Sequence, residues 1–409
     1  MKKAVMYGAG NIGRGFIGQL FSQSGYEVVF IDVNAAVLDK LNADGKYPIR
    51  ILNGSDSRDV IVSNVRGVNG SDIQRVAEEI AQADIMATAV GVNVLPKIAK
   101  PVAEGLKRRW QLGRMDPLNI IICENLLDAN HYLAGIIKQE LDDTGKRNFD
   151  SLVGMVKASI GRMVPVMTPE MQEGNLLKVC VEEYCELPVD KDGFKGEIPQ
   201  IVNMLPASPF AFYIQRKLFI HNMGHALTAY LGGIKGCSYI WEAIKNPCIR
   251  LTVLKAMQDS AVALSKEHGI KLESILVHVN DLIYRFGNRQ LGDTVNRVGN
   301  DTKRKLSYND RLVGAAMLCV SQGINPVNIC IGIAAAMKFD WSQNTSSSEV
   351  LQIIGAEGPE AVLKKICGIT KESTLWDQIL EFYYLLDKNF DFIKTMELVD
   401  DIKRKRMGG

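Results

Sequence analysis

Ala4-Val-Met-Tyr7-Gly8-Ala9-Gly10-Asn11-Ile12-Gly13-Arg14-Gly15 opens the chain on an apolar run that breaks into glycines. The run reads as a short buried strand. A helix is expected over about residues 11–24, with Ile12, Phe16, Leu20 and Phe21 on one face. Gly8, Gly10 and Gly13 thus form G-x-G-x-x-G in the strand–turn–helix setting that a dinucleotide site needs. Gly8 permits the tight turn, Gly10 lets backbone approach a pyrophosphate, and Gly13 lets helix and strand pack closely. Ala9, Asn11 and Ile12 complete the loop and turn the helix N-terminus toward the anion. A second strand, Glu27-Val-Val-Phe-Ile-Asp32, ends in an acid roughly 20 residues further on, where a carboxylate binds the ribose hydroxyls and repels a 2′-phosphate. No Lys or Arg follows in Val33-Asn34-Ala35-Ala36, so NAD is expected rather than NADP.

Working outward, the α/β rhythm pauses at residues 44–72. Tyr47-Pro-Ile-Arg-Ile-Leu52 and Asp59-Val-Ile-Val-Ser63 suggest a hairpin inserted at the sheet edge. It resumes with a helix over 72–83, a strand over 85–90 ending at Gly91, a basic helix over 93–112, and the apolar strand Asn119-Ile-Ile-Ile-Cys123. Ligands of such sheets lie beyond the strand carboxyl ends, so Gly91 and the Cys123-Glu124-Asn125 turn are candidate walls of a nicotinamide pocket. Strands are expected again over 153–159 and 176–185, and residues 186–205 read as a turn-rich crossing.

A chain of 409 residues is too long for one ordinary core. The pattern divides it into an α/β, Rossmann-type dinucleotide-binding domain with β insertions (1–205) and a mostly α-helical substrate domain (206–409). In the second, helical windows recur over 208–231, 238–267, 271–286, 308–323, 327–338, 347–357, 359–366 and 374–397. A net charge of +2 gives no general case for nucleic acid or an anionic membrane, so a small-molecule partner is expected. The eight scattered cysteines lack C-x-x-C spacing, which reads as reduced thiols with neither a disulfide framework nor a metal site. With no signal-like or membrane-spanning apolar run, the expected location is cytoplasmic. Oligomeric state is not legible.

The helical half opens on Lys217-Leu-Phe-Ile-His221-Asn222-Met-Gly224-His225, which sets a lysine, an amide and two imidazoles in an apolar helix within nine residues. At about 100° per residue, His221 and His225 fall within about 80° of Lys217, with Asn222 about 140° round. An alcohol dehydrogenase needs a base for the hydroxyl proton and donors for the developing alkoxide. Lys217 can be the base, Asn222 and Asn125 the donors, and His225 can orient the substrate or pass protons. Tyr213 and Lys217 also fit the Tyr-x3-Lys pair of short-chain dehydrogenases, although those carry the pair inside the nucleotide domain. The basic run Arg297-Val-Gly-Asn-Asp-Thr-Lys303-Arg304-Lys305 is either a solvated surface or a grip for an anionic group such as phosphate. The basic tail from Lys403 reads as a solvated end.

These residues together resemble the polyol-specific long-chain dehydrogenase family, in particular its members that act on mannitol 1-phosphate. The resemblance is carried by the Gly8–Gly18 stretch, Asn119-Ile-Ile-Ile-Cys-Glu-Asn125, Lys217-x4-Asn222-x2-His225, Arg297-Val-Gly, Arg304-Lys-Leu-Ser, Asp310-Arg-Leu and Gly332-Ile-Ala-Ala-Ala-Met, in order along nearly the whole chain. It implies NAD-linked, metal-independent interconversion of D-mannitol 1-phosphate and D-fructose 6-phosphate. It also implies Lys217 as general base, Asn125 and Asn222 as oxyanion donors, and His225 in preference to His221. Arg162 falls in the family's substrate segment, but the aspartate usual before it is Gly161 here. Another polyol, a ketose or a hexuronate is therefore the alternative substrate, and a non-catalytic NAD-binding sensor the alternative class.

Overall fold

The computed structural model describes residues 1–54, 56–126, 128–340, 345–386 and 397–402, and the basic tail lies outside them. Two compact units emerge, Met1–Tyr213 and Ile214–Gly409.

The strands of the first unit are β1 (Lys2–Tyr7), β2 (Tyr26–Asp32), β3 (Lys46–Asn53), β4 (Asp56–Ser63), β5 (Val65–Asn69), β6 (Ile85–Thr88), β7 (Leu118–Ile122), β8 (Val153–Lys157), β9 (Val179–Glu182), β10 (Leu187–Asp190) and β11 (Met204–Ala207). Six of them form a parallel sheet in the order β5-β2-β1-β6-β7-β8. With the β3–β4 hairpin set aside, this is the doubly wound dinucleotide-binding order, whose switch point lies between β1 and β6. Alternation assigns the two faces. Ala4, Met6, Val28 and Phe30 pack with Phe16, Ile17, Leu20 and Phe21 from the helix after the glycines. Val5, Tyr7, Val29 and Ile31 pack against the helices Ile73–Gln82, Leu95–Gln111 and Ala129–Gln139. Burial on both faces explains why these strands read as continuous apolar runs.

Two expectations are corrected. The hairpin is not an edge of the main sheet: β3 and β4 pair antiparallel, and β3 pairs parallel with β9 to make a separate three-stranded sheet. Tyr47, Ile49, Ile51, Val62, Val179 and Val181 bring that sheet onto the core beneath the glycine helix. The edge strand is instead β5. The crossing at 186–205 also contains structure, since β10 and β11 pair in parallel.

The second unit is helical. Its centre is Met223–Ile234, nine of whose residues are buried, including Gly224, Thr228, Tyr230 and Gly232. Small residues set how closely its neighbours approach. A Cβ on Gly224 would lie 2.6 Å from the Met257 sulfur, and one on Gly232 2.7 Å from the Ala243 methyl. The expected 238–267 helix is two, Ile240–Lys245 and Pro247–His268, because Asn246 caps the second and Pro247 occupies its first turn. No helix among the described residues is long and apolar enough to cross a membrane.

In the first unit the tightest approach to backbone is at Gly13, where an added Cβ would sit 1.9 Å from the Gly8 carbonyl oxygen. Gly13→Ala should therefore force strand and helix apart. We expect a loss of ~1–3 kcal/mol in denaturant unfolding, together with loss of dinucleotide binding. Unchanged unfolding would show that the turn can relax.

Candidate active site

The first unit brings the glycine-loop residues together. Gly8 takes φ +107°, where its missing Cβ would meet the Ala89 carbonyl at 2.5 Å. Gly10 is different: a Cβ there would meet nothing within 4 Å, so its backbone faces open space. The Asp32 carboxylate accepts from Ala9 N at 2.7 Å with one oxygen and from Val33 N (2.8 Å) and Asn34 N (3.0 Å) with the other. Asp32 therefore organises the glycine loop. Ile12 packs on the core, and the Asn11 amide points at the Pro165 carbonyl, 3.5 Å away. The expected helix 11–24 begins as a π-turn, Gly13–Ile17, before Gly18–Gln23 continues it as an α-helix.

At the carboxyl ends of β6 and β7, Gly91 adopts φ +87° with open space around it, and Asn125 is exposed in a bend. Between them Glu124 is buried, accepting from Thr88 Oγ1 at 2.7 Å and Val90 N at 3.0 Å. Burial raises its carboxyl above the usual range, more than these hydrogen bonds lower it. Asn125 caps no helix: the next one, Ala129–Gln139, has Asp128 at its cap position.

In the second unit, Lys217–Asn222 is a π-turn that runs directly into Met223–Ile234. This corrects the helical wheel. An i→i+5 turn returns to the same side after five residues, so Asn222 stands over Lys217 instead of well round from it. His225 then follows as the i,i+3 neighbour of Asn222. Lys217, Asn222 and His225 are all half-buried, whereas His221 is only 6% exposed. Burial first, then Arg285, His225, His278 and Lys217, depress the His221 ring well below its usual pKa, so it is neutral. The His225 ring stacks on Phe286, with centroids 5.0 Å apart and planes 11° apart, and its Nε2 is 3.3 Å from Asp293 Oδ2.

The basic residues do not form one grip. The Arg162 guanidinium is 4% exposed and donates to Glu182 O, Gly15 O and Gln19 Oε1 at 2.7–3.0 Å, lying over Phe16. It clamps the glycine helix to β9 and offers a substrate no surface. Lys305 is likewise turned inward, where Nζ donates to the carbonyls of Val298 and Asn300. Arg297 pairs with Asp293. Arg297, Lys303 and Arg304 are the exposed members, the last two paired with Glu349 and with Asp301 and Asp310 respectively. Gly161 has a packing reason: a Cβ would come within 3.2 Å of the Tyr184 ring, whose hydroxyl donates to Glu186 at 3.2 Å. Tyr213 stacks on Phe210 in the first unit.

Residues 2–203 match the family model of the mannitol dehydrogenase Rossmann domain, and residues 210–386 that of the mannitol dehydrogenase C-terminal domain. The chain belongs to the mannitol dehydrogenase family. It is an oxidoreductase. Over 378 residues it is 37% identical to mannitol-1-phosphate 5-dehydrogenase of Bacillus licheniformis, covering 92% of this chain and 98% of that one. Two solved structures share the fold. D-sorbitol dehydrogenase in substrate-free form has a TM-score of 0.79 at 14% identity, covering 94% of this chain and 93% of its own. Pseudomonas fluorescens mannitol 2-dehydrogenase, in a ternary complex with NAD and D-mannitol, has 0.73 at 13%, covering 98% and 94%.

Sequence reasoning missed Arg14, Glu124 as a carboxylate tie, and Asp293. Arg14 is buried and donates through Nε to the Ala9 carbonyl at 2.7 Å, holding the glycine loop from below. An arginine inside a glycine-rich turn was the available signal. Asp293 carried none, because its partner His225 is remote in sequence.

Burial, then Arg311 and Arg304, lowers the Lys305 amine to about 7 from its ordinary value of 10.5. Since the folded value is the lower one, the native state binds fewer protons between these limits. Stability should therefore rise with pH across that window, by up to about 1.4 kcal/mol per pH unit. The check is the unfolding free energy of wild type minus Lys305→Met. A difference that stays flat as pH rises from about 7.5 to about 9.5 would place Lys305 in solvent.

Proposed function

We propose that the protein is an NAD-dependent mannitol-1-phosphate 5-dehydrogenase, interconverting D-mannitol 1-phosphate and D-fructose 6-phosphate. The observation that carries the chemistry is the half-buried face of Lys217, Asn222 and His225 set by the π-turn. The substrate is supported by the identity with the Bacillus licheniformis enzyme along nearly the full length of both chains.

The residues present fit the dinucleotide. Gly10 leaves its backbone open for a pyrophosphate, and Asp32 stands at the end of β2 with no cation in the four residues that follow. NAD, when bound, supplies the hydride acceptor for the alcohol carbon. Lys217, through the lone pair of its neutral amine, takes the hydroxyl proton, and in the opposite direction its ammonium returns it. Asn222 donates its amide hydrogen to the oxygen as negative charge develops, and Asn125 is the second amide donor. Fixed donors of this kind act without reorganising during the reaction. His225 contacts the substrate beside them. Arg297, Lys303 and Arg304 are the exposed cations suited to a phosphate, each of them already sharing a carboxylate, Asp293, Glu349 and Asp301 respectively.

A second reading, another acyclic polyol or its ketose, is favoured by one observation. Tyr184 stands beside Gly161, where the resemblance leads one to expect an aspartate, and its hydroxyl donates to Glu186.

NADH consumption with fructose 6-phosphate, fructose, tagaturonate and fructuronate tests the assignment. Fructose 6-phosphate should be the substrate turned over, and Lys217→Ala should lower kcat by about 10²- to 10⁴-fold with the fold intact. Preference for fructose would sink the phosphate reading. Asp32→Ala should weaken NADH binding and raise relative use of NADPH, because it removes both the ribose acceptor and the tie to Ala9. A cofactor preference identical to wild type in fluorescence titrations would count against that role.

A further inference from the structure

His225 is held on two sides by residues that the family pattern does not include. Phe286 stacks on its face and sets the plane of the ring. Asp293 stands at its edge, with Oδ2 3.3 Å from Nε2, within reach of the ring but out of line for a hydrogen bond as the two side chains stand. The aspartate is only 8% exposed and is itself fixed: its other oxygen takes Nη2 of Arg297, and its backbone carbonyl accepts Ile240 N at 2.9 Å. Burial alone would push this carboxyl up, but His225 and Arg297 outweigh burial and hold it below the usual range, so it is an anion. Next to His225 on the same helix is His221, which is shielded by burial and faces Arg285, His278 and Lys217.

A neutral imidazole carries one proton on two nitrogens, and an anionic acceptor at one edge decides where it sits. We propose that Asp293 is a positioning residue that keeps the His225 proton on Nε2 and presents Nδ1 as the acceptor for a substrate hydroxyl. Arg297 serves the same chain of contacts by anchoring Asp293, which gives it a role apart from phosphate binding. The proposal rests on the reading of His225 as a substrate-contacting residue.

Ring ¹⁵N spectra of the ligand-free full-length protein with labelled histidine, recorded at about pH 8.5, report the tautomer directly. His225→Gln identifies the signal among the five histidines. The expected result is an Nε2–H ring in wild type that becomes mixed or inverted in Asp293→Ala. Turnover of fructose 6-phosphate should fall roughly 10- to 100-fold in kcat, with KM little changed, and Asp293→Ala should add nothing in the His225→Gln background. If Asp293→Ala does not fold, Asp293→Asn, of nearly equal volume, carries the comparison. An Nδ1–H ring in wild type, an unaltered tautomer in the variant, or independent losses in the double variant would overturn the proposal. An Nε2–H ring in a protein that ignores fructose 6-phosphate would sink the substrate reading alone.

Discussion

The π-turn Lys217–Asn222 adds one residue to a turn of helix whose continuation is almost wholly buried, and the polar groups of the second unit take their places from that addition. A helix core between Gly224 and Gly232 has little room for a lysine, an amide and an imidazole on its inner surface. Widening one turn moves Asn222 onto the side of Lys217 and sends His221 inward, where it stays neutral against Phe286. Such turns give up regular hydrogen-bond geometry and occur often at functional sites. Here the widened turn passes at once into a regular helix anchored by Thr228 Oγ1 on Gly224 O and by Tyr230 OH on Gly299 O. The irregular segment is thus held by a regular one.

The first unit solves a related problem with buried cations. A glycine-rich loop can approach a pyrophosphate only by giving up side chains, and with them its own packing. Arg14 and Arg162 restore it from beneath, the former on the Ala9 carbonyl and the latter on Gly15 and Glu182 carbonyls. Tyr47 adds a hydroxyl to the Arg14 carbonyl at 2.7 Å, which explains why the β3–β4 hairpin belongs under this helix and not at the sheet edge. Burial lowers both guanidinium pKa values, yet an arginine remains charged and satisfies several carbonyls at once. Asp32 completes the arrangement from above by accepting Ala9 N.

What could be read from the residues follows the range of the interactions involved. The glycine spacing, the alternating strands and the acid at Asp32 are local patterns, and they led to the parallel sheet and its dinucleotide turn. The partner of the hairpin, β9, lies far along the chain, so the separate sheet left no local trace. A wheel drawn at one fixed angle per residue has no place for a π-turn, and for that reason it misplaced Asn222. The basic residues misled for another reason. Lys305 looks like surface charge in a turn-prone run and Arg162 like part of a substrate segment, but backbone carbonyls left over at a short helix end and a strand draw them inward. Lys303 and Arg304, with no such carbonyls to satisfy, remain outside.

Gly161 shows how a departure from a family pattern follows from packing. Without a Cβ at 161, the Tyr184 ring approaches the backbone to a distance that a side chain would have closed. The phenol then spans the space and ends on Glu186. A carboxylate is therefore still connected to this corner of the first unit, one hydroxyl further out, and it acts through an O–H that can donate as well as accept. An aspartate at 161 accepts only, whereas the tyrosine hydroxyl, already donating to Glu186, keeps lone pairs for a second donor. The change replaces an anionic acceptor by a neutral one polarised by an anion, which weakens attraction for cations.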